Sequence, residues 1–293
     1  MKVLVLGANG QLGKCLRDTV GYSEIEMLFF AREDLDLSDL KSIHETLESM
    51  DADFIVNAAA FTAVDAAEAD PAGAKAINSD AVKNIAKACK KINAHLIHIS
   101  TDYIFDGLST IPYKEISQPK PLNVYGISKH EGEVEILNSQ CNYTILRTSW
   151  IFSEHMTNFL KTIFQLSQSR EELTIINDQV GTPTFAHDIA AAIMEVITSD
   201  NNEVFHNEIF NVSGFDHLSW FEFALKITSI AELQKIPVIS KILPINSANY
   251  PQKAMRPSFS ALDNQKFCNV FHHKLTPLDE AISLTIKKLS RVD

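Results

Sequence analysis

The chain has 293 residues, 45% of them hydrophobic and 22% charged, an ordinary globular balance with enough length for one large domain or two sharing a core. A formal net charge of −11 argues against a broad nucleic-acid surface or an anionic membrane as principal partner, while still allowing a local basic pocket. No uncharged apolar run approaches the ~20 residues of a membrane helix, the run after Met1-Lys2 is too short for a signal core, and Cys15, Cys89, Cys141 and Cys268 show no metal-like or C-x-x-C spacing, as expected of reduced thiols in a cytoplasmic protein.

Lys2–Leu6 reads as a buried strand, a short β-branched and leucine run that stops at glycine. Gly7-Ala8-Asn9-Gly10-Gln11-Leu12-Gly13 follows, and Leu12, Leu16 and Val20 then repeat at helical spacing. Strand, glycine turn and helix in that order form the context of a dinucleotide fingerprint, here spaced G-x-x-G-x-x-G. Gly10 lets the backbone approach a pyrophosphate, whose charge the free N–H groups at the helix start can meet. Ile25–Phe30 is the second strand, ending in Ala31-Arg32. The acidic residue that would bind an adenosine 2′-hydroxyl is missing from Met27 to Arg32. Arg32 is then either the partner of a 2′-phosphate, which favours NADPH over NADH, or a solvated arginine. Asp36-Leu37-Ser38-Asp39 precedes a helix over about 39–49, with Ser38 as its expected N-cap and Asp36 within reach of an adenine.

Phe54–Asn57 is the third strand, and the small residues of Ala58-Ala59-Ala60-Phe61-Thr62 let a flat cofactor lie against the backbone. Asp70-Pro71 opens a helix to about Lys91 that carries Asn78. His95–Ile99, the fourth strand, delivers Ser100 and Thr101 to the sheet edge where open α/β folds bind ligands. After the proline-rich loop Pro112–Pro121, a helix over 123–138 places Tyr125 and Lys129 four apart on one face. A free phenol has a pKa of ~10. A cation held beside it favours the phenolate and moves it toward the range that general acid–base chemistry uses. Tyr143–Arg147 is a fifth strand, and the repeated βα alternation predicts a Rossmann-type, doubly wound parallel sheet.

Beyond Trp150 the rhythm changes. Helices are expected over Asn158–Ser169, Asp188–Ile197, 220–230 (with the capping-box spacing Ser219 to Glu222) and about 278–289, a strand over Leu173–Ile176, and a loop over Ala248–Pro257. The expected division is a dinucleotide-binding domain of 1–150 plus about 173–200, and a smaller substrate-binding lobe of about 151–172 and 201–293.

These motifs resemble those of the extended short-chain dehydrogenase/reductase superfamily, and within it the dTDP-4-dehydrorhamnose reductase family. The resemblance rests on Gly7–Gly13, Val56–Asp65, Ser100–Gly107, Pro121–Lys129, Leu146–Trp150, Asn177–Thr184 and Arg256-Pro257, in the family's order along the whole chain. It implies NAD(P)H-dependent reduction of the 4-keto group of dTDP-4-dehydro-L-rhamnose to dTDP-L-rhamnose. It further implies Tyr125 as proton donor, Thr101 as hydrogen-bond donor to the reacting oxygen, and Lys129 on the nicotinamide ribose. Gly7, Gly10, Gln11 and Leu12 match the pyrophosphate turn, Asp36 and Leu37 the adenosine end. Ala60, Phe61, Thr62 and Ile99 match the cofactor's inner wall, and Asp102 and Trp150 the sugar nucleotide. Arg256 is either a diphosphate contact or a surface arginine. Some members use carboxylates for a Mg²⁺-bridged dimer, but Cys15 and His187 stand at those places, so no metal is expected and Mg²⁺ is in doubt. Glu154-His155-Met156 replaces what is usually a glycine-containing loop. A monomer or homodimer acting on a small nucleotide sugar is expected. The alternatives are another nucleotide-sugar 4-keto reductase, or a non-enzymatic NADP-binding subunit similar to the regulatory subunit of methionine adenosyltransferase.

Overall fold

The computed structural model describes residues 1–19, 21, 25–200 and 204–290; Val20, last of the apolar repeat in the first helix, lies outside them. The first half runs β1 (Lys2–Leu6), α1 (Gln11–Asp18), β2 (Glu26–Phe30), α2 (Leu40–Glu48), β3 (Phe54–Asn57), α3 (Val64–Ala69), α4 (Pro71–Lys75), α5 (Ala81–Ile92), β4 (His95–Thr101), α6 (Val124–Ser139) and β5 (Asn142–Thr148). The second half adds β6 (Ile151–Phe152), α7 (Phe159–Ser167), β7 (Glu172–Ile176), β8 (Val180–Gly181), β9 (Thr184–Phe185), α8 (Ala186–Thr198), β10 (Glu208–Asn211), β11 (Leu218–Ser219), α9 (Trp220–Leu233), β12 (Lys241–Ile245), α10 (Gln265–Phe271) and α11 (Leu278–Leu289).

Six strands form one parallel sheet in the order β10-β5-β4-β3-β1-β2. Successive side chains of a strand point to opposite faces. Val3, Val5, Val56 and Ile97 accordingly enter one core with α1 and α8, while Leu4, Leu6, Ile55 and Leu96 enter another with α2 and α5. Burial on both faces explains why β1 reads as a continuous apolar run rather than an alternating one. The chain leaves β1 for β2 on one side and returns to β3 on the other, so the order reverses between β1 and β3. That is the switch point at which such sheets leave a crevice.

The expected strands and long helices form, with ends shifted by one to a few residues. Asp39, not Ser38, caps α2: its Oδ1 accepts from the N–H groups of Lys41 and Ser42 at 3.2 Å, while Ser38 turns its own N–H and hydroxyl to Asp36. Asp70 caps α4 through Gly73 N at 2.9 Å, and a wider π turn, Ala76–Asp80, joins α4 to α5 and carries Asn78. The Ser219–Glu222 capping box is complete at the start of α9.

Two pairings were not legible in the sequence. β7 lies outside the main sheet and pairs in parallel with β12. The sixth strand of the main sheet is instead β10, on β5. β10 has only four residues, with the polar Asn211 among its buried positions, so no alternation in the sequence marks it. A third core of Phe152, Leu160, Phe164, Phe223, Ile227 and Ile282 unites α7, α9 and α11.

Candidate active site

The glycine turn sits at the switch point. Gly7 has φ of 90°, and a Cβ there would lie 2.8 Å from Ala59 N, so β1 and β3 approach too closely for any side chain. α1 begins at Gly10 without a side-chain cap. The first N–H groups of a helix have no intrahelical partner, so this end of α1 suits an anion such as a pyrophosphate. The Gln11 side chain is otherwise engaged: its amide nitrogen donates to Ile151 O at 3.2 Å and its oxygen accepts from Ser153 Oγ at 2.9 Å and Asn158 Nδ2 at 2.8 Å. Only its backbone, beside that of Leu12, is left for the turn. At the end of β2, Arg32 Nε lies 3.6 Å from Asp36 Oδ2, and the arginine side chain is 80% exposed. Hydrogen bonds from Ser38 hold the Asp36 carboxyl below its ordinary range. Leu37, expected at the adenosine end, is buried in the core beneath because it packs with Leu35 and Ile43.

After β3, Asn78 braces the wall formed by Ala60, Phe61 and Thr62. Its Oδ1 accepts from Phe61 N at 2.8 Å, and its Nδ2 donates to Phe61 O at 3.1 Å and Ser128 Oγ at 3.0 Å. The π turn brings Asn78 against Gly132 of α6, where a Cβ would meet Asn78 O at 2.2 Å. One amide thus ties the loop after β3 to the helix carrying Tyr125 and Lys129.

Asn123 Oδ1 caps α6 by accepting from Gly126 N at 2.8 Å, which fixes the turn that presents Tyr125. Tyr125 is buried against Phe61, Val64, Ala67 and Ala74, with Tyr103 edge-on at 5.5 Å. Burial pushes its phenol up to about 12, although a hydrogen bond with Thr101 pulls the other way. Lys129, turned to Ile99 O and His98, is not among the groups that act on it, so the lowering expected from a neighbouring cation is not found and the phenol keeps its proton. Lys129 is 2% exposed. Its Nζ donates to Ile99 O at 2.6 Å and lies 3.2 Å from His98 Nε2, and burial pushes its pKa down to about 8. Thr101, at the end of β4, donates to Asp102 Oδ1 at 3.2 Å.

Asp102 is buried with its second oxygen, Oδ2, lacking a hydrogen-bond partner. Burial raises its pKa to about 7 against opposing hydrogen bonds from Ser260 and Thr101. Native proteins rarely leave such an atom unpaired without a use for it. Trp150 takes φ of 44°, a strained conformation for a bulky residue and one that clusters at ligand sites. It stacks on Trp220 with centroids 3.3 Å apart and covers Gly181, where a Cβ would fall 2.4 Å from the indole. Arg256 binds Asp65 through Nη2 to Oδ2 at 2.8 Å and Nη1 to Oδ1 at 3.3 Å; neither a lone surface arginine nor an unpaired cation is found. Sequence reasoning missed Asp65 as its partner, and also His98, Asn57 and the buried Glu133–Arg147 pair (2.7 Å) behind Lys129.

At the place of the metal-bridging carboxylates, Cys15, Asp18, Glu154, His155 and His187 gather, in two sets whose ligand atoms lie within 4.8 Å of one another. Two imidazoles and a thiol do not fit Mg²⁺, which prefers an octahedron of oxygens. Burial pushes the Cys15 thiol up to about 12, so it stays protonated. The Lys288 ammonium lies beside this group, 2.5 Å from Glu154 Oε1 and 3.4 Å from His187 Nε2. Met156, in the loop that usually contains glycine, has φ of 52°, the backbone region that glycine adopts without strain. Among the described residues no helix is long and apolar enough to cross a membrane.

The sequence pattern described as the RmlD substrate binding domain matches residues 1–291. A dTDP-4-dehydrorhamnose reductase of Burkholderia thailandensis is 36% identical, over 99% of each chain. The crystal structure of a dTDP-4-dehydrorhamnose reductase from Clostridium acetobutylicum superposes with a TM-score of 0.92 at 31% identity, covering 99% of this chain and 100% of that one. The Bacillus anthracis dTDP-4-dehydrorhamnose reductase in complex with NADP does so at 0.89 and 32%, covering 98% and 99%. With its switch-point turn, its Tyr125–Lys129 helix and this likeness along the whole length, the chain belongs to the RmlD substrate-binding-domain family, that of the dTDP-4-dehydrorhamnose reductases.

Proposed function

We propose that this protein reduces the 4-keto group of dTDP-4-dehydro-L-rhamnose to give dTDP-L-rhamnose. The observation that carries the reading is the meeting of Thr101, Tyr125 and Lys129 at the end of β4, beside the unpaired Asp102 carboxyl, in a chain of this family. A bound NAD(P)H supplies the hydride. The uncapped start of α1 would hold its pyrophosphate, and the Ala60–Thr62 wall with Ile99 would orient its nicotinamide side. Tyr125 gives its proton to the sugar oxygen on which negative charge develops, and the Thr101 hydroxyl, turning its one hydrogen from Asp102 Oδ1, donates to the same atom. Preorganised donors of this kind are worth ~3 kcal/mol each. Lys129 serves the phenol and the cofactor ribose together. Asp102 Oδ2 accepts from a sugar hydroxyl, Trp150 supplies an apolar face, and the lobe built on α7, α9 and α11 closes the sugar-nucleotide side. The four free thiols, three of them buried, suit the reducing cytoplasm.

Purified protein should oxidise NADPH when given dTDP-4-dehydro-L-rhamnose. Binding of NADPH without turnover of any dTDP-4-keto sugar would replace the reading by that of a regulatory subunit.

Both cofactors are accepted and NADPH is favoured, because Arg32 stands where an acidic residue would repel a 2′-phosphate. Arg32→Ala should raise the KM for NADPH by ~10-fold, the loss of one charged hydrogen bond, and leave that for NADH nearly unchanged. Equal losses, or a wild type that prefers NADH, refute the assignment. Activity should also survive EDTA, because Cys15 and His187 stand where bridging carboxylates are expected and Lys288 already neutralises Glu154 beside them. A loss after chelation that Mg²⁺ restores would show the ligands to lie elsewhere.

A further inference from the structure

His98 lies behind Lys129 and takes no part in the chemistry proposed above. The register of β3 on β4 makes Asn57 and His98 cross-strand partners, and both project to the face covered by α6. Three contacts form a chain. Ala59 N donates to Asn57 Oδ1 at 3.2 Å, Asn57 Nδ2 faces His98 Nδ1 at 3.2 Å, and His98 Nε2 faces Lys129 Nζ at 3.2 Å. His98 and Asn57 are 0% and 1% exposed, so a mismatched partner here is out of reach of bulk water.

Donor and acceptor roles along this chain follow from its fixed end. A backbone N–H can only donate, so the oxygen of the Asn57 amide must face Ala59 and its NH₂ must face His98. His98 Nδ1 then accepts. In a neutral imidazole the proton must therefore reside on Nε2; the ring is neutral because Nδ1 is taken up as an acceptor, and complete burial pushes its pKa well below the ordinary value. Nε2–H consequently points at Lys129 Nζ. An ammonium there would set donor against donor, whereas an amine accepts through its lone pair and still donates to Ile99 O. Turning the Asn57 amide over would only move the clash to Ala59 N–H.

We propose that His98, held in its Nε2–H tautomer by Asn57, is a positioning residue that biases Lys129 toward the neutral amine and so sets the pH at which the Tyr125–Lys129 pair works. Its catalytic meaning rests on the role given to Lys129 above; the tautomer and the bias do not. Other groups act on the pair too. Glu133 on α6 favours the ammonium but is itself engaged by Arg147 on β5. Tyr125 shares the helix, Asp102 acts on Tyr125, and the π turn brings the uncharged Asn78 against Ser128 of the same helix.

The test reads the cofactor-free protein. Imidazole NMR of the wild type should show His98 protonated on Nε2, and side-chain NMR of isotope-labelled lysine, with Lys129→Met for assignment, gives the Lys129 titration. Asn57→Asp offers His98 Nδ1 an acceptor, so the tautomer should reverse and the Lys129 pKa rise by about one unit, the equivalent of one hydrogen bond gained. His98→Gln adds no charge and places an amide oxygen near the former Nε2; it should raise the Lys129 pKa by a similar amount, and it stands alone if Asn57→Asp fails to fold. In active variants the pH profile of kcat/KM should move the same way. A wild-type proton on Nδ1, or a Lys129 titration unmoved by His98→Gln, overturns the inference. Neither readout needs turnover, so a wild type that fails to oxidise NADPH would refute the reductase reading and leave this one standing.

Discussion

Replacing Tyr125 by Phe should lower kcat by ~10²–10⁴-fold, the range for a positioned general acid, while NADPH still binds. The phenyl ring keeps its packing against Phe61, Ala67 and Ala74 and its edge contact with Tyr103, so a folding defect should not obscure the loss. Only the transferable proton disappears. Lys129→Met differs in kind: one group is proposed to serve both phenol and ribose, so activity and NADPH affinity should fall together. Because the two residues act as a unit, the double mutant should be far less impaired than the product of the single losses predicts. Steady-state turnover and a fluorescence titration of NADPH measure both effects. Wild-type turnover by Tyr125→Phe would end the proposed mechanism.

Arg147→Met should cost ~3–5 kcal/mol of stability, because it strips the partner from a buried carboxylate. Arg147 and Glu133 side chains are 3% and 1% exposed, bonded at 3.0 and 2.7 Å, and Arg147 also reaches Glu115 O at 3.0 Å. Burial by itself would raise the Glu133 pKa, but the hydrogen bonds from Arg147 and its charge, with the His130 ring 3.8 Å away, outweigh it and hold it at about 2. A carboxyl depressed in the folded state contributes stability above its ordinary value of 4.5 and loses it as the pH falls toward about 2. The deficit of Arg147→Met should therefore be largest at neutral pH and shrink in acid, where the wild type loses the same contribution. Replacing Glu133 by Leu as well should recover much of the loss, since an apolar pair leaves no charge unpaired. Urea melts across this pH range read the outcome; a deficit under ~1 kcal/mol, or one that does not change with pH, would show the pair to be incidental.

The sequence by itself determined what depends on near neighbours along the chain. Gly7 to Gly13 marks a turn because only glycine tolerates the φ of Gly7 and its approach to Ala59. Tyr125 and Lys129 share a face because a helix repeats every 3.6 residues. Asp70-Pro71 and Ser219–Glu222 announce helix starts because a cap acts within one turn. The parallel sheet was legible too, since strands covered on both faces read as unbroken apolar runs between helical periods. What tertiary structure decided involves partners far apart: Asn57 with His98, 41 residues away, Arg256 with Asp65, 191 away, and Glu154 with Lys288, 134 away. It also decided that four residues of β10, rather than β7, complete the sheet. Spacing cannot reveal such pairs, because each arises from strand register and helix packing, which place side chains by the fold's geometry and not by their distance along the chain. The protonation states at the site belong to the same class: burial, which exists only once the chain has folded, keeps the proton on Tyr125 and works against the charge on Lys129.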